Sequence, residues 1–138
     1  RDCIVCREVK EIQTQMTNAN TNSKAFDIEE RLIAFAGEIV LYSISIKKDF
    51  TSEYYTKQMI RSSGSAALNF GELQGTITTK DFIFKASLSI KELKETRMSL
   101  KILRYVGAYK NEVIDNILGE LEQLIAIVSK ISINKRNV

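Results

Sequence analysis

Apolar residues recur along this chain at steps of three and four, the spacing that keeps side chains on one face of an α-helix. The first stripe is Ile28, Leu32, Phe35, Ile39, Tyr42 and Ile46. Asp27 stands just before it and Glu30 lies three residues on, which predicts an N-cap and a capping box. Lys47 and Lys48 are expected in its last turn, where the helix dipole favours cations. The second stripe is Tyr55, Met59, Ser62, Ala66, Asn69 and Leu73, with Thr51 or Ser52 as the expected cap and Gly71 and Gly75 bracketing the exit. The third, Phe82, Ala86, Ser89, Leu93, Thr96, Leu100 and Leu103, opens on the capping pair Thr78 and Asp81. Gly107 follows it, where a left-handed C-terminal cap would go. The fourth, Ile114, Ile117, Leu121, Leu124, Val128 and Ile131, is widened by Leu118 and Ile125. The run from Ile125 to Val128 could pass for a strand, but the long helical stripe around it outvotes that reading.

Four amphipathic helices with short connections predict an all-α, antiparallel up-down-up-down four-helix bundle. The three-four spacing favours shallow crossings of roughly 20°. The absence of proline and the presence of only six glycines suit long helices. With 138 residues, 44% hydrophobic and 27% charged, the chain fits one ordinary globular domain. The bundle is assigned to residues 25–138. Residues 1–24, which carry the polar tract QTQMTNANTNSK, are assigned to an N-terminal extension with a short helix through Ile4, Val9 and Ile12.

The middle of the second and third stripes departs from a plain hydrophobic hairpin. Antiparallel pairing sets Ser62, Ala66 and Asn69 beside Ser89, Leu93 and Thr96. Buried hydroxyls and amides need partners, since an unpaired one costs about 1–3 kcal/mol. Such a layer can fix register, as a buried Asn does in coiled coils. It can also form a subunit interface, or a pocket holding Glu72, Glu92 and Glu95.

Histidine is absent, which removes the commonest general base and metal ligand and every Ser-His-Asp or Cys-His arrangement. No P-loop or dinucleotide fingerprint occurs. Non-enzymatic function without a cofactor is therefore the expectation, and catalysis by the three glutamates ranks last. Cys3 and Cys6 form a lone C-x-x-C, half of a zinc site, so no metal is assigned. With no apolar run of about 18 residues and no signal core, the expectation is a cytoplasmic protein with reduced thiols and no membrane partner.

Charge is distributed unevenly. The formal net charge is only +3, yet Lys80 to Arg104 holds seven basic residues against three acidic ones. Lys91, Lys94, Arg97, Lys101 and Arg104 follow at steps of three, three, four and three, and are read as one outer basic stripe. Such a row suits phosphate-backbone contacts to RNA or DNA. No interleaved aromatic platform accompanies it, so base-specific reading is not expected. The plainer reading is a solvated, ion-paired face.

Between Arg61 and Leu103 the chain also resembles a known family. Arg61, Ser62, Ser65, Asn69 and Glu72 match its second-helix pattern. Asp81, Phe82, Ile83 and Lys85, then Lys91, Glu92, Glu95, Thr96 and Leu100, match its third, without a gap. The family comprises small bacterial four-helix-bundle proteins related to the protein encoded in intervening sequences of large-subunit ribosomal RNA genes. Met98-Ser99 departs from it where an aromatic pair is frequent, as does Leu73 where Ala commonly follows the Glu. The resemblance implies a four-helix bundle, often a ring-shaped homopentamer, with no known enzymatic activity. It also implies a structural and assembly role for Arg61, Ser65, Asn69, Glu72, Asp81, Phe82, Lys85, Glu92, Glu95 and Thr96. A related branch, the accessory variability proteins of diversity-generating retroelements, binds a reverse transcriptase and nucleic acid. Two functions therefore stand as expectations: an oligomer that binds RNA or DNA, and a protein-protein adaptor of the reverse-transcriptase type.

Overall fold

A computed structural model describes residues 27–138. The extension, with Cys3, Cys6 and the helix expected through Ile4, Val9 and Ile12, lies outside the described residues. Four helices follow in chain order: α1 (Ile28–Ser45), α2 (Phe50–Leu73), α3 (Thr79–Tyr105) and α4 (Asn111–Arg136). Among the described residues there is no strand. At 1.5 Å per residue, the 18 residues of α1 span about 27 Å and the 27 of α3 about 40 Å. Each helix packs on the next and α4 returns to α1, with α2–α3 the tightest seam and α1–α4 the loosest. The expected antiparallel bundle is the observed architecture.

The helix ends follow local chemistry, with three departures from expectation. Asp27 precedes α1 at φ −96°, ψ 30° and makes no side-chain cap bond. A capping side chain needs an extended backbone to fold back over the first turn, so the Asp27–Glu30 capping box does not form. Glu29 and Glu30 still place negative charge at the positive end of the helix dipole. Helix α2 is capped by Asp49, whose carboxylate accepts from the Ser52 amide at 2.8 Å, and not by Thr51 or Ser52. That bond holds the Asp49 carboxyl below the usual carboxylate range. Helix α1 ends at Ser45, so Lys47 and Lys48 lie beyond its last turn.

The other caps match expectation. Thr78 Oγ1 accepts from the Asp81 amide at 3.1 Å. Past the end of α3, Gly107 adopts φ +69°. Its amide donates to Arg104, and that of Ala108 donates to Leu103, the paired bonds of a Schellman turn. A side chain at Gly107 would sit in a strained left-handed backbone.

The interior carries all six residues of the α1 stripe and every α3 stripe residue except Phe82, which is half-buried. Ile114, Ile117, Leu121, Leu124 and Val128 of α4 are fully buried beside them. Each such aliphatic side chain contributes roughly 1.5–3 kcal/mol by leaving water. Tyr42 meets Tyr109 edge-on, with ring centroids 5.7 Å apart. The buried Tyr42 hydroxyl has no hydrogen-bond partner among the described residues, and burial pushes its phenol above the ordinary tyrosine value.

Candidate nucleic-acid interface

The α2–α3 seam is built from small and hydroxyl-bearing residues. Ser62 Oγ and Thr96 Oγ1 lie 2.6 Å apart and both are buried. Thr96 also donates to the Glu92 carbonyl at 3.1 Å, while Ser62 reaches the Met59 carbonyl only at 3.4 Å. The shorter outer bond favours a relay in which Ser62 donates to Thr96 and Thr96 to Glu92. One turn along, Ser89 Oγ donates across the seam to the Ala66 carbonyl at 2.9 Å. That contact brings a side chain of α3 onto the backbone of α2, which the single methyl of Ala66 permits.

The expected register therefore holds for Ser62, Ala66, Ser89 and Thr96. It fails for Asn69, which is half-buried and turns back to Ser65 on its own helix, donating to the carbonyl at 2.9 Å. Phe70 takes the buried place. A branched amide can satisfy itself within one turn, and the ring gains more by burial.

Charged pairs flank the seam. Arg61 reaches Glu92 at 3.3 Å and also pairs with Glu95. Lys85 pairs with Glu72. The three glutamates weighed as a reactive cluster thus each face a cation. Glu92 Oε2 is buried and its approach to Arg61 lacks hydrogen-bond geometry, so the contact is Coulombic. Asp81 is exposed at the start of α3, and the Phe82 ring lies under Lys135, whose ammonium is 4.9 Å from the ring centre.

The five-residue basic stripe divides in two. Arg97 forms a two-oxygen contact with Glu122 at 3.0 and 3.2 Å, and Arg104 does the same with Asp115 at 2.7 and 3.2 Å. Those arginines lean toward α4. Hydrogen bonding to Arg104 holds the Asp115 carboxyl below the usual carboxylate range. Lys91, Lys94 and Lys101 are exposed and have no ion pair among the described residues. The single outer row expected from spacing is corrected: the row drifts around α3, and α4 neutralises its trailing edge.

Lys91 and Lys94 border an open groove of about 800 Å³ between α2 and α3. Tyr54, Tyr55, Gln58 and Arg61 form its α2 wall, and Ile90 and Met98 continue the α3 wall. An aromatic surface beside the lysines was not expected from spacing, because Tyr54 sits just off the stripe containing Tyr55.

Two further features escaped the periodicity. Arg31 of α1 binds Glu120 of α4 with three hydrogen bonds of 2.9–3.1 Å and reaches Gln123, closing the loosest seam. Helix α1 also carries a second apolar row, Ile33, Val40 and Ile44, on the side away from the core, joined by Ile60 of α2 and exposed to solvent. Their spacing of seven and four is helical too, but the stronger inner stripe masks it.

A sequence profile of the 23S rRNA-intervening sequence protein matches residues 24–130. The chain belongs to that family. Among solved structures, it is similar to a protein of unknown function from the S23 ribosomal protein family of Bacteroides thetaiotaomicron. The two share 24% identity with a TM-score of 0.70, over 76% of this chain and 97% of the other. No curated protein matches the chain significantly. The family match spans all of α1 to α3 and most of α4, so the Ser62–Thr96 seam and the exposed lysines lie on the intervening-sequence scaffold itself.

Proposed function

We propose that this intervening-sequence family member is a non-enzymatic homo-oligomer, a pentamer by the resemblance, that binds RNA or DNA through phosphate contacts. The observation that carries the reading is the set of exposed lysines on α3, Lys91, Lys94 and Lys101, which no described acid neutralises. Exposed cations in a row supply sequence-independent affinity that falls with salt. Self-association strengthens the case, because five copies of a +3 chain carry +15. The exposed row Ile33, Val40 and Ile44 with Ile60 supports self-association, since a helix apolar on both faces is one that a partner covers. The lack of histidine and the ion pairing of Glu72, Glu92 and Glu95 support the non-enzymatic part.

The test is a salt series of binding to labelled RNA. Replacing Lys91, Lys94 and Lys101 by Ala is expected to abolish binding at moderate salt and to reduce the salt slope by about 2–3. Replacing Arg97 and Arg104 is expected to leave binding nearly unchanged. Undiminished binding by the triple-lysine variant would refute the reading. Light scattering at micromolar concentration is expected to give five times 15.7 kDa, and a mass of one chain refutes the ring. Ile44→Glu is expected to lower the mass.

A further inference from the structure

The α2–α3 groove does not behave as a patch of ordinary surface. Tyr54 is 55% exposed and Met98 58% exposed, large apolar groups left in water on opposite walls of one concavity. The Tyr54 and Tyr55 rings stand perpendicular with centroids 5.0 Å apart. Tyr55 is half-buried and packs on the core, so it anchors the pair while Tyr54 stays open. The groove, at about 800 Å³, falls within the range of about 300–1,000 Å³ typical of small-ligand sites.

Its charge selects among possible occupants. The carboxylate in its lining, Glu95, is paired with Arg61, also in the lining. Lys91 and Lys94 then stand on the rim without ion pairs among the described residues, which leaves the groove cationic. A purely aliphatic partner would have to bury or displace those ammonium groups. A flat π-system linked to phosphate fits all of the lining: the ring stacks against Tyr54 and Met98, and the phosphate meets Lys91 or Lys94. Gln58 offers an amide to a base edge. Within a duplex the bases are already stacked and out of reach, so such a site takes an unpaired base.

We infer that the Tyr54–Met98 groove is a stacking pocket for an unpaired base of single-stranded or looped nucleic acid, flanked by the phosphate-binding lysines Lys91 and Lys94. This inference rests on the nucleic-acid reading above and narrows it. Stacking tolerates every base, so the pocket confers preference for strandedness, not for sequence.

The experiment measures fluorescence anisotropy of a labelled single-stranded RNA of about 12 nucleotides, and of the same strand annealed to its complement. Tyr54→Ala is expected to weaken single-strand binding about tenfold and to leave duplex binding and oligomer mass unchanged. Tyr54→Phe keeps the ring and is expected to bind as the unmodified chain does, while Tyr54→Leu keeps apolar bulk and is expected to lose as much as Tyr54→Ala. Equal single-strand affinity for Tyr54→Ala and the unmodified chain overturns the pocket while the lysine contacts stand. So does an equal loss on both probes. A changed oligomer mass in Tyr54→Ala assigns the groove to a second copy of the chain and overturns the pocket too. If the unmodified chain binds neither probe, the phosphate reading fails and the pocket fails with it.

Discussion

The seam between α2 and α3 and the aliphatic interior under α1 and α4 are held by different forces. Beneath α1 and α4, Leu32, Phe35, Ile39, Ile114, Ile117, Leu121 and Leu124 exclude water with no directional bond. Along the seam, Ser62, Ala66, Ser89 and Thr96 bury little area, but the hydroxyls of Ser62, Ser89 and Thr96 reach specific acceptors. Apolar burial tolerates some sliding, because a leucine that shifts meets another leucine. A hydroxyl relay does not, because a slip of one turn moves every donor away from its acceptor. Apolar burial stabilises the one core to which all four helices contribute, and the hydroxyls of the α2–α3 seam add a fixed register.

The sharpest way to break that contrast is to attack both sides. Leu121→Ala is expected to destabilise by about 2–5 kcal/mol, the cost of a cavity in the aliphatic side, read by denaturant unfolding. Ala66→Leu is expected to cost about 1–3 kcal/mol by forcing the helices apart and lengthening the Ser89 bond. A well-tolerated leucine there would mean that the seam is not closely packed. Thr96→Val is expected to cost about 1 kcal/mol, at the low end because Ser62 can fall back on the Met59 carbonyl. Adding Ser62→Ala should then cost little more, and strictly additive losses would show that the two hydroxyls do not act together.

The smallest effect is electrostatic. Arg104→Ala is expected to leave the unfolding midpoint nearly unchanged, since the pair is exposed. It should nevertheless raise the Asp115 carboxyl toward its ordinary value, visible in an NMR titration. The native Asp115 carboxyl is held low. What the pair adds is therefore present at neutral pH and lost as acid protonates Asp115 below the usual carboxylate range.

The same contrast governs what could be read from residue order. Helix α3 was legible from Ala86 to Leu103 because its stripe is regular and is buried by both neighbours. The start of α2 was less so: Asp49, Thr51 and Ser52 can all cap, and only the backbone path selects Asp49. Asn69 departs from the place its spacing predicts because spacing alone does not distinguish an amide buried across a seam from one bonded to its own helix. The cations of α3 were legible one by one, but which of them stay free depends on where Glu122 and Asp115 fall, an interhelical register that no local pattern encodes. The exposed face of Tyr54 depends on phase in the same way.

An even number of antiparallel helices has one more result. The start of α1, the end of α4 and the α2–α3 turn share one end of the bundle, as the Lys85–Glu72 and Lys135–Phe82 contacts mark. The α1–α2 connection and the Gly107 turn occupy the other. Asp27 and Val138 therefore lie at the same end of the bundle. The α1–α2 connection and the Gly107 turn are then the places to tether a label or a surface clear of both.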